Sequence, residues 1–458
     1  MTVDGSSPNP LVLNENAEDG KSATDVAGFL TLRVIRVPLT ILTSILLART
    51  LGVAGMGVYS ALLIARNVFQ PLFRLGIPTG INYFLRKGDY RAVDVLWTCI
   101  VMGLIPALCT CLLVVGLWQA NWLGQAAAQA PPSAFWLIVA TIPVMGVHTI
   151  LVAVLYSQSR FAESNAIALG FNLAQSLSVI GLYFAERLTI LTAVIALASV
   201  SVIQLLAVIW RVSKTTKLYL RWNGQFASEC LSFGIKAWPS GIFTKLSLRL
   251  DHLLLTLVGT PEALGLYSLA VSWNERLMFL PDSVAPIVYN KVCASEDKKQ
   301  TLRFVARIHR VTVSAVFLLG VFIALNAIWF IPLVYKEEFR GSILLLALLI
   351  PGTTAFASMK ILSKLSTGLG RPALGTKAAA IGALVGAIAY GALVPRWFEL
   401  GAAVGSVLCY GAMAIALAVL TSRMFDREPL RLIVPSRSDI AWAISQVKSI
   451  FKRVAAKF

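Results

Sequence analysis

Twelve apolar stretches of about twenty residues or more, parted by short polar segments, constrain this chain more than any other feature. They run approximately over 25–48, 57–84, 93–118, 134–156, 165–184, 189–210, 229–257, 265–290, 311–333, 342–363, 377–394 and 401–420. An α-helix needs about twenty such residues to cross the hydrocarbon layer of a bilayer. Helices are the spanning element to expect, because they satisfy their own backbone hydrogen bonds in lipid. A barrel would show short alternating segments instead. The fold class expected is therefore all-α, a polytopic membrane protein of about twelve transmembrane helices.

Charge placement supports this and orients the chain. Charged residues make up 14% of the sequence, against roughly 25% in soluble domains. The net charge of +18 is one that nucleic-acid-binding proteins also carry. Most of these cations, however, sit in short loops beside apolar blocks, where they anchor helix ends, so no nucleic-acid partner is expected. Twenty-six Lys and Arg fall on the side of the chain termini and five on the other, namely Arg49, Arg187, Lys336, Arg340 and Arg396. The positive-inside rule then makes both termini cytoplasmic, in a multi-pass protein of the cell inner membrane.

Residues 1–24 are polar and slightly acidic without an apolar core, so they read as a disordered cytoplasmic tail and not as a signal peptide. Past residue 420, Ile440, Ile444, Val447, Phe451, Val454 and Phe458 recur at steps of three and four. Lys448, Lys452, Arg453 and Lys457 lie off that stripe. A basic amphipathic helix on the anionic cytoplasmic leaflet fits the pattern. The expected organisation is a tail over 1–24, an N-lobe over 25–210, an inter-lobe linker over 211–228, a C-lobe over 229–420 and a second cytoplasmic tail over 421–458. Six cysteines in or beside apolar blocks and three scattered histidines suggest no metal site, and no catalytic residues stand out.

The halves repeat. The stretches 51–62 and 258–270 share the pattern G-x(4,5)-G-[VL]-Y-S, which contains Gly57 and Gly265. Tyr59 and Tyr267, Ser60 and Ser268, Pro78 and Pro286, and Asn82 and Asn290 all lie 208 positions apart. Six helices per half means that both halves enter the membrane in the same direction, so the two-fold axis runs along the membrane normal.

Nine cations remain inside the spans: Arg33, Arg36, Arg66, Arg74, Lys236, Lys245, Arg249, Arg276 and Lys360. Each costs roughly 2.5–3.5 kcal/mol at a helix centre unless it faces a wet cavity or a ligand. All but Lys360, which is expected to snorkel toward the cytoplasmic end, lie on helices 1, 2, 7 and 8, the equivalent pairs of the two halves. Arg66, Gln70 and Arg74 form one stripe, and Lys245, Arg249 and His252 another. The acids Asp251, Glu275 and Asp282 are too few to balance the cations. They are candidates for salt bridges or for coupling to H+ or Na+; no other cofactor is expected. The surplus describes a cavity built for an anion, and the planar fork of Arg suits phosphate. Substrate-binding candidates are Arg33, Arg36, Arg66, Arg74, Lys245, Arg249 and Arg276. Pro71, Pro78, Pro239, Pro281 and Pro286 interrupt the same helices and predict bends there.

The stretches "ILLARTLGVAGMGVYSALL" at 45–63 and "SFGIKAWPSGIFTKLSLRLDHLLLTLVGTPEALGLYSLAVSWNERLMFLP" at 232–281 resemble the polysaccharide flippase (Wzx-type) family of the multidrug/oligosaccharidyl-lipid/polysaccharide exporter superfamily. With its topology the resemblance covers roughly 25–420. It implies a V-shaped bundle of two six-helix lobes around a cationic cavity. It also implies carriage of a polyprenyl-diphosphate-linked oligosaccharide to the outer leaflet by alternating access. The bilayer and that lipid-linked oligosaccharide would be its partners, with a polysaccharide polymerase and glycosyltransferases working beside it. Only Arg249 and Asp251 lie within a matched motif.

A drug or cation antiporter of the same superfamily would need a net acidic cavity. A membrane-embedded polysaccharide polymerase or ligase would need a large outer loop, and the longest outer segment here is the uncharged stretch 119–134. A transporter, not an enzyme, is expected.

Overall fold

The computed structural model describes residues 15–294 and 297–423, with the side chains of 15–37, 65, 240, 298 and 299 left out of the description. It contains fourteen helices and no strand among the described residues. The basic helix expected over 436–458 lies outside them.

Twelve crossings result, although only eight helices are individually long and apolar enough to span a membrane. The first helix, α1 (Glu15–Phe73), holds crossing 1 and the start of crossing 2. Its two limbs meet at Gly52, where φ is 67° and ψ −177°. A positive φ is open to glycine at no steric cost, which is why the chain reverses there. Crossing 2 continues as α2 (Ile77–Lys87). The helices α3 (Ala92–Gln119), α5 (Pro132–Ser157), α6 (Phe161–Phe184) and α7 (Ile190–Ser213) complete the N-lobe, with the short α4 (Gly124–Ala128) at its far end.

The C-lobe begins with α8 (Gly224–Ser247) and α9 (Leu250–Val258), which together form crossing 7, and α10 (Pro261–Leu277) and α11 (Phe279–Ala294), which form crossing 8. Then come α12 (Lys298–Tyr335), α13 (Gly341–Gly368) and α14 (Ala373–Ser422). The last of these folds back at Phe398 and supplies crossings 11 and 12.

Three expectations need correction. The first helix starts at Glu15, ahead of the apolar stretch that opens near residue 25. Crossings 2, 7 and 8 are not continuous: they break at Arg74–Gly76, at Leu248–Arg249 and at Met278. These crossings carry most of the embedded charge, and of their C-lobe segments α9, α10 and α11, at 9, 17 and 16 residues, are each too short to qualify as a span alone. Finally, the segment 119–134 is not merely a connection, because Gly124 of α4 lies against the backbone of Thr256 in α9.

The lobes are joined by 214–223, which is tied to the N-lobe. The Thr98 hydroxyl accepts from the Asn223 backbone N–H at 2.8 Å, and Asn223 in turn caps α8 by accepting from the Phe226 N–H at 3.0 Å. Phe226 and Cys230 are fully buried in a core cluster with Ile81, Val95, Val154 and Val208 of the N-lobe. Gly76 and Gly234 bring α2 and α8 into backbone contact, and Tyr83 stacks on Phe233 with ring centroids 4.4 Å apart. At its other end α8 meets α14, where Cys409 donates to the Ser247 carbonyl. The first half of crossing 7 thus belongs to both lobes.

Candidate functional site

Arg66 lies on the second limb of α1, two turns before the break that opens at Arg74. Between them Gln70 is buried and donates to the Ile142 carbonyl of α5 at 3.2 Å, which pins this limb to the N-lobe. Nη1 of Arg66 and Nε of Arg74 are both buried without a hydrogen-bond partner. Leaving a buried donor unpaired costs about 1–3 kcal/mol, more when it is charged. Two such donors on one stripe make this stretch a candidate for an acceptor from outside the chain.

Across the lobe boundary, Lys245 ends α8 and is exposed. Arg249 occupies the break before α9, and its Nη2 stands 2.9 Å from Oε1 of Glu275 on α10. These groups lie near one another. Arg66 and Arg74 feel each other's charge, Arg74 also acts on Lys245, and Lys245 lies within the field of both Arg249 and Glu275. Each lobe therefore contributes cations to the same neighbourhood. Among the described side chains, Arg66, Arg74 and Lys245 have no carboxylate partner, while Arg249 has one.

Two of the three carboxylates, Glu275 and Asp282, form salt bridges, with Arg249 and Lys360. Asp251 pairs with no cavity cation. It is 1% exposed and accepts from four donors. The His252 N–H (2.6 Å) and His252 Nδ1 (3.2 Å) reach one oxygen; the Tyr267 hydroxyl (2.6 Å) and the Ser406 hydroxyl (3.2 Å) reach the other. Tyr390 donates to Ser406 at 3.2 Å and extends the network through α14. Asp282 accepts from Lys360 at 2.6 Å, so Lys360 bridges α13 to α11 instead of snorkelling. The stripe of Lys245, Arg249 and His252 is also broken. The interruption at Leu248 and Arg249 turns His252 into the lobe interior, while Lys245 stays exposed. A small cavity of about 50 Å³ in the C-lobe is lined by Asp251, Asn274, Glu275, Thr353, Phe356 and Tyr410.

Arg276 stands apart from the cluster. It donates to Ser272 at 3.1 Å and to Ser44 of α1 at 3.2 Å, and its guanidinium lies 4.7 Å from the Trp273 ring centroid. Arg33 and Arg36 lie on the first limb of α1, where side chains are not described. His148 is the residue that sequence reasoning passed over. It lies on α5 within the field of Arg74, and only the packing of α5 behind the broken crossing 2 brings the two together.

The sequence profile of a family described as "Polysaccharide biosynthesis protein" matches residues 46–344, well over half of the chain. No curated protein sequence matches it. Among solved structures, the lipid II flippase MurJ in an inward closed conformation superposes with a TM-score of 0.75 at 12% identity, covering 94% of this chain and 93% of that one. An inward-facing multidrug resistance MATE family transporter of the MOP superfamily gives 0.67 at 13% identity, over 87% and 98%. A MOP superfamily transporter from Pyrococcus furiosus, described as having a binding pocket of reverse polarity, gives 0.58 at 11% identity, over 88% and 95%. At these identities the likeness is one of fold.

Proposed function

The chain belongs to the polysaccharide biosynthesis protein family and has the fold of MOP-superfamily transporters, and from that premise we propose that it is a flippase for a polyprenyl-diphosphate-linked oligosaccharide. The substrate enters from the cytoplasmic leaflet of the inner membrane and leaves in the outer leaflet by alternating access. Both chain termini are cytoplasmic in this reading. The glycan would be a surface polysaccharide unit, such as an O-antigen or exopolysaccharide repeat. A polymerase and glycosyltransferases would act beside the flippase.

One observation carries the proposal: cations of both lobes lie near one another, and Arg66, Arg74 and Lys245 among them have no carboxylate partner among the described side chains. Arg66 and Arg74 come from one side and Lys245 and Arg249 from the other. A diphosphate would satisfy the orphaned nitrogens of Arg66 and Arg74, because phosphate oxygens accept the paired donors of a guanidinium. Arg33 and Arg36, on the neighbouring limb, would meet the same headgroup at entry. Binding shared between lobes is what allows a substrate to be handed over as they rock. An organic cation would meet repulsion from the same groups.

Depleting the protein in cells that make its glycan tests the reading. The expected result is build-up of lipid-linked oligosaccharide in the cytoplasmic leaflet. Unchanged leaflet distribution with loss of polymer alone would indicate a polymerase instead.

A further inference from the structure

The glycines of the repeat motif meet each other. A Cβ placed on Gly57 would stand 1.8 Å from the Pro261 carbonyl oxygen, and one placed on Gly265 would stand 2.0 Å from the Val53 carbonyl oxygen. Positions 53 and 261 are 208 apart, as are 57 and 265. The contact is therefore reciprocal, as a two-fold requires, and it falls where the second limb of α1 crosses α10. In both cases the opposing atom is backbone, which has no side-chain freedom with which to yield.

This crossing lies at the end of the bundle away from the termini, and three other inter-lobe contacts gather there. Arg49 donates from Nε to the Val334 carbonyl at 2.7 Å and from Nη2 to the Leu333 carbonyl at 2.9 Å, at the C-terminal turn of α12. A cation suits that end of a helix. Ser44 and the Tyr335 hydroxyl are 2.9 Å apart, and Arg276 reaches the same Ser44 from α10. Gly124 of α4 abuts the Thr256 carbonyl of α9.

We propose that the Gly57–Gly265 crossing is the outer gate of the transporter and that Arg49 is its latch. The physical reason lies in how such a contact comes apart. Two backbones touching through glycine hold no side chain between them at the point of contact, so they part there without rotamer exchange and close again in one register. Arg49 adds a polar tether of two hydrogen bonds to carbonyls that α12 itself leaves unsatisfied, and that tether is released without disturbing either lobe's core. Arg276 has a part in the same seam through Ser44. On this account the repeat pattern G-x(4,5)-G-[VL]-Y-S is retained in both halves because the halves close on each other through it.

The inference rests on alternating access, and two spin-label pairs in a cysteine-free background keep the two ideas apart. Arg187→Cys with Arg396→Cys reports the outer ends of the lobes, and Ser213→Cys with Arg371→Cys the cytoplasmic ends; all four positions are exposed. Purified full-length protein in nanodiscs is measured by pulsed electron resonance. Gly57→Ala and Gly265→Ala are expected to add a longer-distance population at the outer pair. Arg49→Gln does so to a smaller extent, and Arg49→Lys less again. Gly181→Ala, where a Cβ meets nothing within 4 Å, leaves the distances unchanged. Wild-type outer distances in folded Gly57→Ala and Arg49→Gln protein overturn the gate. Should the alanine variants fail to fold, Arg49→Gln decides alone, since Arg49 is exposed. An outer pair that lengthens while the inner pair stays fixed upholds the gate but contradicts alternating access.

Discussion

Arg249 and Glu275 face each other at 2.9 Å across the gap between the break in crossing 7 and the last turn of α10. The pair couples the two interrupted crossings of the C-lobe. Its side chains keep 33% and 49% of their exposure. A wet pair of this kind contributes little to stability, typically under about 1 kcal/mol.

That sets the first prediction. Arg249→Ala accumulates in the membrane at near wild-type abundance, yet loses transport by at least about tenfold, the equivalent of ~1.4 kcal/mol of barrier. Reversing the pair with Arg249→Glu and Glu275→Arg keeps abundance and does not restore transport, because the geometry facing the substrate is lost. Abundance by immunoblot and leaflet distribution of the lipid-linked glycan separate the two effects. Transport at wild-type level in Arg249→Ala would remove Arg249 from the binding set.

Asp251 behaves in the opposite way. Its four donors come from α9, α10 and α14, so removing the carboxylate strands Tyr267, Ser406 and the His252 N–H in the lobe core. Asp251→Ala is expected to cost about 3 kcal/mol or more and to be seen as low abundance and a lowered Tm in detergent. Asp251→Asn, which keeps the shape and an acceptor, loses part of that. A fully stable Asp251→Ala protein would mean that the network does not hold these helices together.

The helical class and the number of crossings were legible in the sequence, because each rests on composition or periodicity over many residues. The breaks were less so. Pro71 and Pro78 pointed to a bend in crossing 2, but nothing local marks Leu248–Arg249 as an interruption. That break shows only when α8 is held by the N-lobe through Phe226, Cys230 and Gly234 while α9 packs against α14. For the same reason His252 could be placed on a stripe with Lys245 by counting residues, although the chain turns it inward. Partners distant in sequence, such as Lys360 with Asp282 or Asp251 with Ser406, depend on tertiary contact and leave no trace in spacing. The motif glycines were visible as a repeat, whereas their contact with each other was not.

Sidedness gives a third prediction, independent of substrate. Reporter fusions after Gln125 and Gly341 read as outside, and fusions after Gly224 and Gln300 read as cytoplasmic, following the excess of Lys and Arg on the side of the termini. An inverted pattern would overturn the direction of transport proposed above while leaving the fold untouched.

The central claim is that Arg66 and Arg74 hold a diphosphate, and translocation in proteoliposomes tests it most directly. Purified protein is reconstituted with a fluorescent polyprenyl-diphosphate oligosaccharide, and the fraction reached by a membrane-impermeant quencher is followed with time. Arg66→Ala and Arg74→Ala are each expected to slow translocation by at least about tenfold, ~1.4 kcal/mol, with unchanged folding. Arg66→Lys and Arg74→Lys recover part of the rate, since the charge returns without the two-pronged fork. Unaltered translocation by both alanine variants at equal protein density would contradict the claim.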